Sequence, residues 1–202
     1  RMSEKRRGLV KMRREYHVAI NGSDRYEGGE GCPFRTISKA AKTARPGDVI
    51  TVHEGEYREW VKPEWGGRSD TERIVYQAAK GERVVIKGSE RIQNWEQVEG
   101  NVWKAVLPDS MFGDYNPYKE ILGGDWFEFP KNTLHTGEVY LNGRAFYEAK
   151  SLEEVKNPVK RREGYCRLWP KYGEPILHPE DTLYQWYAQA DDENTVIYAN
   201  FQ

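Results

Sequence analysis

Residues 46–87 read PGDVITVHEGEYREWVKPEWGGRSDTERIVYQAAKGERVVIK, and the spacing of the short apolar runs inside them decides the fold. VITV (49–52), EWV (59–61), IVY (74–76) and VVI (84–86) are rich in β-formers and separated by turn residues. Ile50 to Val75 is 25 residues, and Trp60 to Val85 is 25 again. A pair of strands recurring at a fixed step is expected of a chain that winds into stacked coils, each covering the open edge of the last. The spacing predicts the start of a right-handed parallel β-helix, with a sandwich or other mixed fold as the competing architecture.

Working upstream, PFRTISKAAKTARPGD (33–48) changes to helical periodicity. Phe34, Ile37, Ala41 and Ala44 fall on one helical face, Pro33 suits the first turn and Pro46-Gly47 ends it. The expected element is an amphipathic helix of about three turns, placed to cap the first coil. Before it lie a short strand, EYHVAI, and the loop NGSDRYEGGEGCP, whose acidic residues lack EF-hand spacing and read as a solvated turn. Residues 1–14 carry seven basic side chains and one acid among scattered apolar positions, and read as a disordered leader or appended segment.

Downstream of Trp95 the step is lost. GNVWKAVLP (100–108) reads as a strand, GEVYLNGRAFYEA (137–149) as a hairpin turning at Asn142-Gly143, and LYQWYAQ and TVIYANF as two strands joined by DDEN. SLEEV (151–155) carries a capping-box spacing, while residues 157–181 lack periodicity and read as loop. The domain expectation is therefore a leader at 1–14, a helix and first coils at 15–95, and an inserted antiparallel β-sandwich at 96–202. The chain stops at Phe201-Gln202, directly after a strand, which suggests a larger protein cut at this point.

Composition narrows the function. The net charge of −1 offers no overall electrostatic case for nucleic acid, and no apolar run is long enough to span a bilayer. No secretory signal is visible, so Cys32 and Cys166 are expected to be free thiols and the location cytoplasmic. His17, His53, His135 and His178 are dispersed, so neither a metal site nor a cofactor is expected. Seven Trp and thirteen Tyr are the unusual feature, because aromatic rings supply core area and also stack on sugars. Trp60, Trp95 and Trp103 sit in strand-like patterns and are expected in the core. Glu59 is read as a polar coil residue or a turn anchor, and Asn116-Pro117-Tyr118 as a turn.

The continuous stretches GSERIQNWEQVEGNVWKA (88–105), FGDYNPYKE (112–120), GGDWFEF (123–129), GEVYLNGRAFYE (137–148) and WYAQADDENTVIYANFQ (186–202) together resemble glycoside hydrolase family 120, the β-xylosidases. The resemblance implies a β-helix core interrupted by a β-sandwich, and retaining release of xylose from xylo-oligosaccharides. Retention uses two carboxyl groups, a nucleophile and a general acid/base. The family's catalytic Asp and Glu lie on later coils and match no residue of this chain, which alone is expected to be inactive. The Trp of the family's GDW motif lies beside the sugar, which assigns Trp126 to substrate contact, with Asp125 as a candidate partner for a sugar hydroxyl. Two other classes compete: a polysaccharide lyase on the same scaffold, and a noncatalytic carbohydrate-binding fragment. A chain ending after two coils would also expose an open edge, predicting self-association through it.

Overall fold

The computed structural model describes residues 13–124, 133–164 and 173–202. By internal packing the chain divides into two units, residues 1–91 and 92–202.

In the first unit, β1 (Glu15–Val18), β2 (Val49–Val52) and β4 (Val75–Ala78) form a parallel sheet in the order β1-β2-β4. A second parallel pair joins β3 (Gly55–Arg58) to β5 (Val84–Lys87). The register corrects the expected step. Ile50 pairs with Tyr76, a step of 26 residues, and Tyr57 pairs with Ile86, a step of 29. The strand read at 59–61 lies instead at Gly55–Arg58. Tyr57 is the reason, since its buried ring anchors this strand and its hydroxyl donates to the His53 carbonyl at 2.8 Å. Trp60 falls beyond the strand end and is 70% exposed, which overturns its assignment to the core.

Helix α1 (Ile37–Thr43) is shorter than its periodicity suggested, because the preceding backbone is committed elsewhere. Phe34 donates its N–H to the His17 carbonyl, and the Asp24 carboxylate takes the N–H groups of Arg35 and Thr36. Thr36 is the N-cap, accepting from Lys39 N–H at 3.1 Å. Phe34, Ile37, Ala41 and Ala44 are nevertheless all buried, as the helical spacing required. At the other end Asp48 turns the chain into β2, accepting from the Arg45 and Arg14 N–H groups.

Polar side chains stack across the parallel strands. Thr51 donates to Glu15 at 2.5 Å and accepts from Gln77 at 3.1 Å. His17 and His53 stack with ring centroids 5.2 Å apart and share a 2.9 Å hydrogen bond, and His53 Nδ1 lies 3.2 Å from Glu82.

The second unit is built on a five-stranded sheet in the order β10-β11-β12-β7-β6, from Tyr147–Glu148, Gln185–Ala190, Asn194–Asn200, Val102–Pro108 and Glu96–Glu99 respectively. All its pairings are antiparallel except β10 with β11. β8 (Tyr140–Leu141) and β9 (Arg144–Ala145) form the hairpin expected at Asn142-Gly143, with φ of +51° and +81° at the two turn residues. Asp191 closes the β11–β12 turn by accepting from Glu193 and Asn194 N–H. Helix α2 (Leu152–Lys156) has Ser151 as its N-cap, accepting from Glu154 N–H. The core gathers around Trp186, 2% exposed, with Phe146, Leu107, Val139 and Ile197.

This second unit closes on itself. Phe201 donates its N–H to the Asn101 carbonyl at 2.9 Å and meets Trp95 edge-on at 4.9 Å. The two ends of the unit therefore lie side by side.

Candidate functional site

Asp125 and Trp126 lie outside the described residues, as do residues 127–132. The structure does describe both sides of the root from which this segment departs. Ile121 and His135 form an antiparallel bridge, Leu122 N–H donates to the Leu134 carbonyl at 2.7 Å, and Thr136 N–H donates to the Glu120 carbonyl at 3.0 Å. Gly124, the last described residue on this side, has φ of +137°, a conformation that other residues rarely adopt.

One side of the root is fixed by an Asx turn. Asn116 Oδ1 accepts from Tyr118 N–H at 2.9 Å, which makes the turn expected at Asn116-Pro117-Tyr118. The Asn116 amide donates to Thr195 Oγ1 at 2.8 Å and to Asp109 Oδ1 at 3.2 Å, tying the turn to the start of β12. Lys119 reaches Asp109 Oδ2 at 2.5 Å, and this hydrogen bond is the main reason the Asp109 carboxyl titrates below its ordinary range. Thr195 adds a further hydrogen bond to the same carboxylate at 2.8 Å.

The other side is clamped by Glu148. Its side chain is 10% exposed, and it accepts from His135 N–H at 2.8 Å while facing His135 Nδ1 at 2.5 Å. Beneath the root the Tyr118 ring packs edge-on between Phe112 and Trp186, with centroids 5.8 and 5.5 Å away. Burial pushes the Tyr118 hydroxyl up to about 12, so it serves as a neutral donor to the Glu138 carbonyl. Gly137 permits this packing, since a Cβ there would sit 2.6 Å from the Tyr118 ring. The result is a rigid polar and aromatic footing beneath Ile121 and Leu122, both of which are exposed.

The conspicuous carboxylates of the described residues are engaged structurally. Glu59 spans the first turn of α1, accepting from Ile37 N–H at 2.9 Å and Ser38 N–H at 2.8 Å, and is thus a turn anchor. Asp24 and Asp48 take backbone N–H groups on either side of the same helix, Glu82 takes Glu54 N–H, and Glu148 holds His135. Among the described residues no group of three or more His, Cys, Asp or Glu is arranged to hold a metal ion. Cys32 is a free thiol, and Cys166 lies outside the described residues. Sequence reasoning missed Asp109 and Glu148. Asp109 meets Thr195 across 86 positions, and His135 meets Glu148 with no motif spacing to mark the pair.

A separate shallow groove of about 590 Å³ runs along the β8–β9 hairpin and is lined by Arg144, Tyr147 and Asp181 among others. Arg144 Nε lies 3.4 Å from Asp181, and its guanidinium lies 4.3 Å from the Tyr184 ring centroid. The groove pairs its own charges.

The profile of the glycoside hydrolase 120 insertion domain matches residues 92–202, the whole of the second unit. The chain belongs to glycoside hydrolase family 120. A solved structure described as the complex of XylC with xylose superimposes with a TM-score of 0.88 at 55% identity, covering 93% of this chain and 29% of that one. Residues 20–65 match a family of unknown function, and an uncharacterised protein of Bacillus subtilis strain 168, YwoF, is 36% identical over 80 residues. That second match spans 40% of this chain and 17% of YwoF. The chain thus spans under a third of the length of XylC and under a fifth of YwoF. Within family 120, the root at Ile121 and His135 lies in the insertion domain. No described helix is long and apolar enough to cross a membrane.

Proposed function

We propose that this chain is the N-terminal portion of a retaining glycosidase that releases xylose from xylo-oligosaccharides. The observation that carries the reading is the 55% identity, over 93% of the chain, to a protein whose structure was solved with xylose. In this reading residues 15–95 are the opening coils of a right-handed parallel β-helix, with α1 covering the first coil. Residues 96–202 are an inserted antiparallel sandwich-like module. The parallel registers of β1-β2-β4 and β3-β5 and the meeting of Trp95 with Phe201 support that assignment. A cytoplasmic setting belongs to the same reading, supported by the free thiol of Cys32.

The insertion supplies one wall of the sugar site. Trp126 covers the C–H face of the pyranose, and Asp125 accepts from a sugar hydroxyl. One short ladder flanks this segment, with Asn116 and Asp109 holding one of its sides and Glu148 the other. Retention requires two carboxyl groups about 5–5.5 Å apart, one attacking the anomeric carbon and one protonating the leaving oxygen before activating water. The engaged carboxylates of this chain are poor candidates, since each is already bound to backbone N–H groups or a neighbouring side chain. The pair therefore comes from elsewhere in the longer protein, and this chain alone does not turn over substrate.

Proton NMR of the longer protein acting on xylobiose tests the reading. Release of β-xylose as the first anomer supports it. An α-anomer or an unsaturated uronate product from acidic substrates would replace it with inversion or elimination.

A further inference from the structure

We propose that Trp60 and Trp65 form an exposed saccharide-binding platform beside α1, taking a β-linked oligosaccharide of a few units. The inference rests on the saccharide class adopted for the proposed function and on no part of its chemistry.

The backbone around Trp60 is fixed on both sides. Glu59 is bound to the N–H groups of Ile37 and Ser38, and Val61 packs against the core of the first unit. Between and beyond these inward residues, Trp60 and Lys62 are exposed, as alternation along an extended segment requires. The Lys62 ammonium sits 3.7 Å from the Trp60 ring centroid, yet the residue remains 70% exposed. A ring so open contributes little to packing.

Trp65 is held by a different cation at the opposite end of the helix. The Arg45 guanidinium lies 4.6 Å from the Trp65 centroid, and its Nη1 is pinned by the carbonyls of Lys42, Thr43 and Ala44. Trp65 is 46% exposed. Trp60 is thus tied to the first turn of α1 and Trp65 to its last. Seven helical residues rise about 10 Å, so the two anchor points on α1 lie at the scale of a short sugar chain rather than one ring.

The surroundings choose the occupant. Protein interfaces need a contiguous apolar centre, whereas the exposed charges of Lys62 and Glu64 lie in sequence between these two rings. Two flat apolar plates set among charged donors and acceptors instead match an oligosaccharide, which presents C–H faces and hydroxyls by turns. Each cation also orders its indole before a ligand arrives, lowering the entropic cost of binding.

Affinity electrophoresis of the 202-residue chain in gels containing soluble xylan or hydroxyethyl cellulose tests the platform. Wild type is retarded by at least one polymer. W60A/W65A binds about tenfold more weakly, while W60F/W65F keeps most of the retardation. Circular dichroism verifies the fold of both variants, which change exposed positions only. Equal retardation of all three proteins, or none with either polymer, overturns the proposal. So does an altered oligomeric size of W60A/W65A with unchanged retardation, which would make these rings an assembly surface. Retardation by cellulose alone leaves the platform standing and counts against xylan as the substrate class. Xylose release by the longer protein reads the hydrolytic proposal independently.

Discussion

The first unit runs its strands in parallel and threads them with polar ladders; the second runs all but one of its sheet pairings antiparallel around an aromatic centre. In the first, Glu15, Thr51 and Gln77 form one rung system and His17, His53 and Glu82 another, while Glu59, Asp24 and Asp48 secure α1 and its flanks. Its outermost strands, β4 and β5, remain largely open, with Tyr76 and Ile86 exposed. In the second, Trp186, Tyr118, Phe112 and Phe146 share one core, and the two ends of the unit meet at Trp95 and Phe201. The contrast separates two uses of a polar group. Glu59, Asp24 and Asp48 of the first unit hold backbone together and are consumed by it. The polar residues of the second, Asp109, Asn116 and Glu148, hold the paired backbone at Ile121 and His135.

Breaking the aromatic centre should have the largest effect. Trp186→Ala removes the ring that Tyr118 packs against and should destabilise the second unit by about 3–5 kcal/mol. Hydrogen exchange would show lost protection in β7, β11 and β12, with β1 and β2 unchanged. Equal loss in β1 and β2 would break the division into two separately stabilised units.

Removing a carboxylate from the first unit should cost less. Glu59→Ala leaves the Ile37 and Ser38 N–H groups without their partner, an expected loss of about 1–2 kcal/mol in urea denaturation. Glu59→Gln should recover part of it, as the amide oxygen still accepts while the charge near the helix start is gone.

Acid sharpens the comparison without breaking either unit. Asp109 is held low chiefly by Lys119, and Glu82 chiefly by the Glu54 N–H with His53 second. A carboxyl whose folded value lies below its unfolded one stabilises fully above the ordinary range of about 4, and that contribution is lost as pH falls through the depressed folded value. Asp109→Asn should therefore flatten the acid limb of stability for β7 and β12 only, and Glu82→Gln that for β2 and β4 only. Hydrogen exchange at pH 3 and pH 6 distinguishes the two. The smallest effect belongs to Asp70→Ala. Its pair with Arg73 joins side chains 90% and 70% exposed, and thermal unfolding should change by less than about 0.5 kcal/mol.

Local elements of both units were legible in sequence. The burial of Phe34, Ile37, Ala41 and Ala44 followed from their spacing, and the hairpin at Asn142-Gly143 from its turn pair. The register was not legible, because short loops between parallel strands absorb extra residues without altering strand composition. A step read as 25 became 26 on one sheet and 29 on the other. Trp60 was misread for a related reason: EWV has β propensity, but Glu59 is drawn to the start of α1 and the strand stops at Arg58. At the candidate site the Asn116 turn was readable, since Asn-Pro is a local signal. The clamps by Asp109 and Glu148 depend on partners that no spacing rule connects.

In the proposed function this chain builds part of a sugar site and carries no hydrolytic centre. Incubating the 202-residue chain with p-nitrophenyl β-xyloside tests it most directly. No p-nitrophenol should appear above the buffer rate, with turnover only in the longer protein. Steady release by the chain alone, lost on substitution of one of its own carboxylates, would contradict it.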